Sequence, residues 1–295
     1  MRGKVPTLIR RDFFTGPMAL CPPLATSWLK FAKRTKKHHR IFCRLFSLAP
    51  GSRENFYHFL IGYLLPVVQA QRAHRFPEFR VVDCGPLMTP ILRETLQRLG
   101  HRFEIVPVTQ VENPLWVESW DRFNHFTEAP KLLPETADLV RKCWSEYECP
   151  AGDCRFTENL IIRRSEPHEY YLRGTSEFGG HGTSRRGISN LGEISAALES
   201  RGVPHTLFDA GLHCLGCQIR AFTGAKRILG MRGADWANVI WAGKNLRVLM
   251  YDPEPPAKVV SAYFQHLGVN ARIEAVPHRH VELDFPSVLE FFTGA

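Results

Sequence analysis

Residues 226–242 place an arginine and a glycine between a short apolar run and a run that reads as helix. Ile228 and Leu229 supply a strand, Gly233 lets the backbone come close to a ligand, and Asp235 can cap a helix over 236–242 that Gly243 ends. The free N–H groups and positive end of such a helix favour an anion. Arg232 adds a guanidinium able to grip a phosphate in a fork, and Ala234 and Asn238 complete the candidate contacts. The same pattern also describes an ordinary strand-to-helix connection with a surface arginine, so the turn has to be weighed with the rest of the chain.

Other chemistry-bearing residues are scattered. Asn159 to Arg164 reads as a strand that delivers Arg163 and Arg164 at its carboxyl end, where open α/β sheets bind ligands. Neighbours on a strand point oppositely, so one of the two is expected to face the ligand. His58 lies on an apolar helix and reads first as a core residue, with Glu54 one turn away on the same face. Trp116, Trp120 and Trp144 have faces that suit sugar or base stacking, although core packing is the commoner use.

Metal chemistry is weakly marked. His213-Cys214-Leu215-Gly216-Cys217, with Cys143, Cys149 and Cys154 upstream, contains enough ligands for zinc. Yet there is one Cys-x-x-Cys, and it continues into an apolar helix in which cysteine acts as a small hydrophobe. No Asp-x-Asp occurs, and Asp252-Pro253-Glu254 suits a turn better than a cation site. The expectation is no metal and no cofactor.

These residues sit in a chain of 295 residues, 44% hydrophobic, long enough for a large core and better suited to two modest domains than to one. No continuous apolar core of signal-peptide length opens it, and the apolar run 56–68 is too short to span a bilayer. Eight dispersed cysteines fit free thiols in a reducing cytoplasm. The net charge of +9 is concentrated in residues 30–44, where Lys30, Lys33, Arg34, Lys36, Lys37, His38, His39, Arg40 and Arg44 cluster. That run suits an anionic membrane or glycan, the inner face of the membrane included, or a solvated loop. Nucleic acid is disfavoured, because no aromatic RNA-binding or helix-turn-helix signature accompanies the charge.

The positioning elements alternate. Strands are expected over 41–48, 79–83 and 103–108, with helices over 54–73, bent or tolerant at Pro66, and 89–99. Residues 112–155 read as loops and short helices between two halves. A glycine-bearing loop over 174–187 precedes a helix capped by Asn190 and Glu193, and strands then alternate with helices from 204 to 275. The fold class is α/β, with two Rossmann-like domains over 1–140 and 141–295.

Set in order, these segments resemble the family-61 glycosyltransferases of the bacterial capsular-polysaccharide type. The shared elements are Asn55-Phe56-Tyr57-His58-Phe59-Leu60, Leu65-Pro66, Ile162-Arg163-Arg164, Ser184-Arg185-Arg186, Asn190 with Glu193, Gln218-Ile219 and Arg232-Gly233-Ala234-Asp235-Trp236-Ala237-Asn238. The resemblance implies a GT-B architecture and an inverting, metal-independent hexosyl or pentosyl transfer. The nucleotide-sugar donor, with UDP foremost, would lie on the second domain at Arg163, Arg164, Arg185, Arg232, Gly233, Ala234 and Asn238. The first domain would hold the acceptor, a surface polysaccharide, lipopolysaccharide or other glycolipid. Arg232 replaces the family's usual histidine, and Gly62 replaces a common acidic residue, which leaves His58 or Glu54 as the base. A non-catalytic protein of the same fold that binds an anionic glycan or membrane is the alternative.

Overall fold

A computed structural model describes residues 41–43, 52–107, 115–117, 129–145, 147, 149, 154–164, 166, 168–172, 186–253 and 258–294. The basic residues 30–40 and Arg44, the glycine loop through Arg185, Trp120 and Glu254 lie outside them. The first half runs β1 (Ile41–Cys43), a 3₁₀ turn (Ser52–Glu54), α1 (Phe56–Phe59), a π turn (Leu60–Leu64), α2 (Leu65–His74), β2 (Phe79–Val82), α3 (Gly85–Arg98), β3 (Phe103–Val106), β4 (Leu115–Val117) and α4 (Ala129–Trp144). The second half runs β5 (Asn159–Ile162), α5 (Glu169–Leu172), β6 (Gly187–Ile188), α6 (Leu191–Ser200), β7 (Thr206–Phe208), α7 (Leu215–Gly224), β8 (Arg227–Met231), a 3₁₀ helix (Ala234–Trp241), β9 (Arg247–Asp252), α8 (Lys258–His266), β10 (Asn270–Ala275), β11 (His280–Val281) and α9 (Phe285–Thr293).

The second half builds a five-stranded parallel sheet in the order β10-β9-β8-β5-β7. Counted by succession along the chain this is 5-4-3-1-2, a doubly wound order that reverses between β5 and β8. Alternate residues of its central strands feed opposite faces, as the strand period demands. Leu160, Ile162, Ile228, Val248 and Met250 join one core, and Ile161, Leu229, Met231, Leu249 and Tyr251 join the other under α6 and α9. Such two-sided burial explains why these strands read as unbroken apolar runs.

The first half is built differently. β2 pairs with β3 and β1 with β4, each pair parallel, and β1 lies beside β2. Among the described residues it therefore shows two short pairs rather than a second copy of the five-stranded sheet. The helix expected over 54–73 is also divided. Pro66, in the first turn of α2, has no N–H to give to the preceding turn, and the chain widens into a π turn just before it. Tyr63, in that π turn, receives the Val82 N–H at 2.5 Å and docks the turn on the end of β2.

Residues 112–155 hold more structure than their sequence suggests. α4 is 16 residues long and contains Pro134. Leu133, Thr136, Ala137, Val140 and Trp144 are all buried, and their helical spacing gives α4 one inward face. It packs on α2 and α3 and also on α7 and the 234–241 helix. The 140/141 division thus falls inside a helix that touches both halves. A single apolar cluster runs from Leu64 and Val81 through Val140 to Phe222 and Trp236, so both halves share it.

Candidate active site

β8 carries the chain to the turn at Arg232-Gly233. The Arg232 N–H donates to Tyr251 O at 2.8 Å, which holds the turn against β9. Its guanidinium does not project freely. Arg232 Nη1 lies 3.2 Å from each carboxylate oxygen of Asp252, whose side chain is 0% exposed against 22% for Arg232. A charge as buried as Asp252 requires such a partner, so this arginine fixes the turn, and Asp252 acts as its counter-ion.

The close approach expected at Gly233 is made by another arginine. A Cβ there would lie 2.0 Å from Arg164 Nη1, so only glycine admits the guanidinium. Gly233 is extended, with φ −169° and ψ −179°, and needs no left-handed conformation. Arg164 Nη1 donates to Arg232 O at 3.2 Å, and Arg186 Nη1 reaches the same carbonyl at 3.3 Å. Two guanidiniums on one neutral oxygen leave a positive field at the turn.

The residues after the turn divide. Ala234 opens the 3₁₀ helix, and Gly233 occupies its N-cap, so Asp235 is not the cap. Burial pushes the Asp235 carboxyl above its ordinary range while nearby Arg164 opposes the shift. Asn238, expected among the ligand contacts, faces the core at 0% exposure. It donates to Gln218 Oε1 at 2.8 Å and accepts from Trp241 Nε1 at 3.0 Å. Its spacing from the turn carries it to the inner side of the helix.

A cavity of about 360 Å³ opens beside the turn, lined by Arg163, Arg164, Gly187, Leu191, Gly192 and Met231 among others. It sits at the carboxyl ends of β5 and β8, where the strand order reverses. Both arginines line it, contrary to the one-in-two rule, because β5 ends at Ile162 and strand alternation stops there. Arg163 is exposed, and its backbone N–H donates to Phe208 O at 2.9 Å. The N-terminus of α6 also faces the cavity. Its expected Asn190–Glu193 cap does not form. Asn190 Nδ2 donates to Leu283 O and Oδ1 accepts from Leu283 N, each at 2.9 Å, as a strand would. The N-cap side chain of α6 therefore gives no hydrogen bond to the helix's first N–H groups.

Glu54 and His58 belong to the first half and do not line this cavity, and Glu54 meets the second half at α5. They are not on one helix, because Glu54 ends the 3₁₀ turn and Asn55, accepting from Tyr57 N at 3.1 Å, starts α1. Glu54 lies against the Asp83-Cys84-Gly85 turn that follows β2. A Cβ on Gly85, which has φ +80°, would lie 3.1 Å from Glu54 Cγ and Oε1. Glu54 Oε1 accepts from Tyr170 Oη at 2.9 Å, and Glu54 O accepts from Tyr171 Oη at 2.8 Å. Glu54 Oε2 is buried and has no hydrogen-bond partner among the described residues. Burial, followed by the bond to Glu54, raises the Tyr170 phenol, so it stays protonated and donating. His58 is half-buried, with its ring 5.5 Å edge-on from Tyr57. Its helix packs on the 234–241 helix, where Tyr57 meets Tyr263 at 5.8 Å and Tyr263 Oη donates to Ala237 O at 2.8 Å.

Several members were not singled out from sequence. Tyr170 and Tyr171 carry no motif, and only their place just after the β5 arginines could have drawn notice. Arg186, rather than its neighbour Arg185, is the described arginine of the Ser184-Arg185-Arg186 element and reaches the turn. Trp144 is no stacking platform, since it is 3% exposed and its Nε1 donates to Thr95 Oγ1 at 3.1 Å.

A parallel sheet whose carboxyl edge gathers arginines at the reversal point places this half among the doubly wound α/β folds. The family can be named. The model of the Glycosyltransferase 61 family matches residues 56–249, more than half of the chain, and the chain belongs to that family. It is a glycosyltransferase, acting between a sugar donor and a glycan acceptor. No curated protein matches the sequence.

Proposed function

We propose that the protein is an inverting, metal-independent glycosyltransferase of GT-B type that takes a nucleotide sugar, UDP-linked in the first instance. The observation that carries this reading is the cavity at the strand-order reversal, with Arg163 and Arg164 on one side and the α6 N-terminus on another. A departing nucleoside diphosphate gains one negative charge as its bond to the sugar breaks, beside the two its phosphates already carry, and that charge needs compensation. Fixed guanidiniums and a helix N-terminus supply it without a metal.

The base in this reading is Glu54. It sits where the end of β2 faces the segment after β5, so an acceptor held by the first half would meet a donor held by the second. Tyr170 Oη on Oε1 orients the carboxylate and leaves Oε2 to take the acceptor proton. Attack from the side opposite the leaving group inverts the anomeric centre. His58, on the adjoining helix, supports this wall of the cleft. The acceptor is a surface polysaccharide or glycolipid, with residues 30–44 docking the enzyme on the anionic cytoplasmic face of the membrane.

Incubation with UDP, GDP, CMP and dTDP sugars, with and without a lipid-linked glycan, tests the proposal. Arg163→Ala is the sharpest variant because its exposed side chain spares the fold, and it should raise the donor Kd about tenfold. No binding and no hydrolysis of any donor would overturn the donor-site reading. Tight donor binding without turnover would favour a non-catalytic glycan-binding protein.

A further inference from the structure

Four cysteines that the site does not use converge at the N-terminus of α7. The sulfurs of Cys149, Cys214 and Cys217 lie within 4.8 Å of one another. Cys154 Sγ lies 3.4 Å from Cys149 Sγ and 3.0 Å from Cys217 Sγ. We propose that Cys149, Cys154, Cys214 and Cys217 form a closed zinc site that fastens the segment between α4 and β5 onto α7.

The surroundings are those of a metal site rather than of packed thiols. Cys214 stands at the N-cap of α7, a position usually held by Ser, Thr, Asp or Asn, and its sulfur accepts from Cys217 N at 3.4 Å. Cys217 lies in the first turn of the same helix, so the Cys-x-x-Cys pair presents both sulfurs from one end of α7. The other pair arrives on a segment that is itself pinned. Arg220, on α7, donates from Nη2 to Tyr147 O at 3.0 Å. The Tyr147 ring lies so close that a Cβ on Gly216 would meet its Cδ1 at 2.6 Å. The glycine inside the Cys-x-x-Cys therefore admits the strap that brings in Cys149.

Geometry and chemistry select the ion. Zinc holds four sulfurs at about 2.3 Å in a tetrahedron, which separates them by about 3.8 Å. Five of the six sulfur pairs lie at 3.0 Å to at most 4.8 Å, within about 1 Å of that spacing, and Cys154 and Cys214 close the set by side-chain rotation. Four soft thiolates exclude magnesium and calcium, and a closed set of four protein ligands leaves no position for substrate, which makes the site structural. His213 also lies within 4.8 Å of the sulfurs of Cys154 and Cys217, but its ring stacks on Phe208 with centroids 5.0 Å apart. That stacking holds the imidazole for the aromatic cluster.

The test is metal analysis of the full chain purified under reducing conditions, followed by cobalt exchange. About one zinc per chain is expected, and cobalt should give the intense sulfur-to-metal absorption of a tetrahedral tetrathiolate. Cys214→Ser should drop the metal content well below one equivalent, whereas Cys143→Ser, on the neighbouring helix, should retain it. Should Cys214→Ser fail to fold, the cobalt spectrum of the unmodified chain still decides. His213→Ala should leave that spectrum unchanged, and a loss of zinc in this variant would overturn the four-cysteine set. Absence of stoichiometric metal with all four thiols reactive, a Cys154–Cys217 disulfide found by mass spectrometry, or bound iron would overturn the zinc site.

Discussion

The two walls of the proposed site differ in how their charged groups are held. On the five-stranded sheet, Arg164 and Arg186 are tied to one backbone carbonyl and Arg232 to a buried carboxylate. On the Glu54 wall, one oxygen of that carboxylate is held by Tyr170 and the other has no hydrogen-bond partner among the described residues. The contrast follows from the work proposed for each. Groups that stabilise a charge perform best when already fixed, since they then cost no reorganisation as the charge develops. A base must keep a lone pair for the proton it takes.

Breaking the less fixed wall should have the largest effect. Glu54→Gln keeps the shape and removes the proposed base, so kcat should fall about 10²–10⁴-fold with donor Kd unchanged. Equal loss of donor binding would show that Glu54 belongs to the fold instead. On the fixed wall, Asp252→Ala removes the buried counter-ion of Arg232 and should cost about 1–3 kcal/mol in urea denaturation. Unaltered stability would mean that the pair does not hold the turn.

Gly233→Ala sharpens the comparison, because the colliding atom is the flexible end of Arg164. The fold can yield while the site cannot. Donor Kd should rise about ten- to a hundredfold with little change in melting temperature. Tyr170→Phe removes one donor from Glu54 and should lower kcat/KM about five- to tenfold, roughly 1 kcal/mol.

The smallest effect concerns the outer edge of the first half. Burial lowers the His101 pKa below its ordinary 6.5. The unfolded ring then takes a proton that the folded ring resists, so this contribution is full above pH 6.5 and declines as pH falls below it. His101→Gln should flatten the loss of urea stability between neutral pH and about pH 5. An unchanged slope would assign acid sensitivity to other groups.

Elements with a strong period were legible before any coordinates. β5, β8 and β9 are continuous apolar runs because both faces are covered, and the Arg232-Gly233 turn stands out as a breaker between strand and helix. α4 was hidden by Pro134 and its tryptophan-rich surroundings, although its buried residues keep helical spacing. Its stability comes from packing on both halves, which no local pattern records.

The sequence by itself determined the α/β alternation, the arginines at strand ends and the ordered motifs that mark the family. Those features depend on neighbours along the chain. Partner choice was decided by the tertiary structure. Arg232 went to Asp252, Asn190 to Leu283, Asn238 to Gln218, and Gly233 served Arg164. Each pairing joins residues at least 20 positions apart, so hydrogen-bond saturation and burial, which are properties of the assembled core, selected among options that spacing left open. The four cysteines show the same thing most plainly. One Cys-x-x-Cys reads as an apolar helix start until the fold brings Cys149 and Cys154 to its sulfurs.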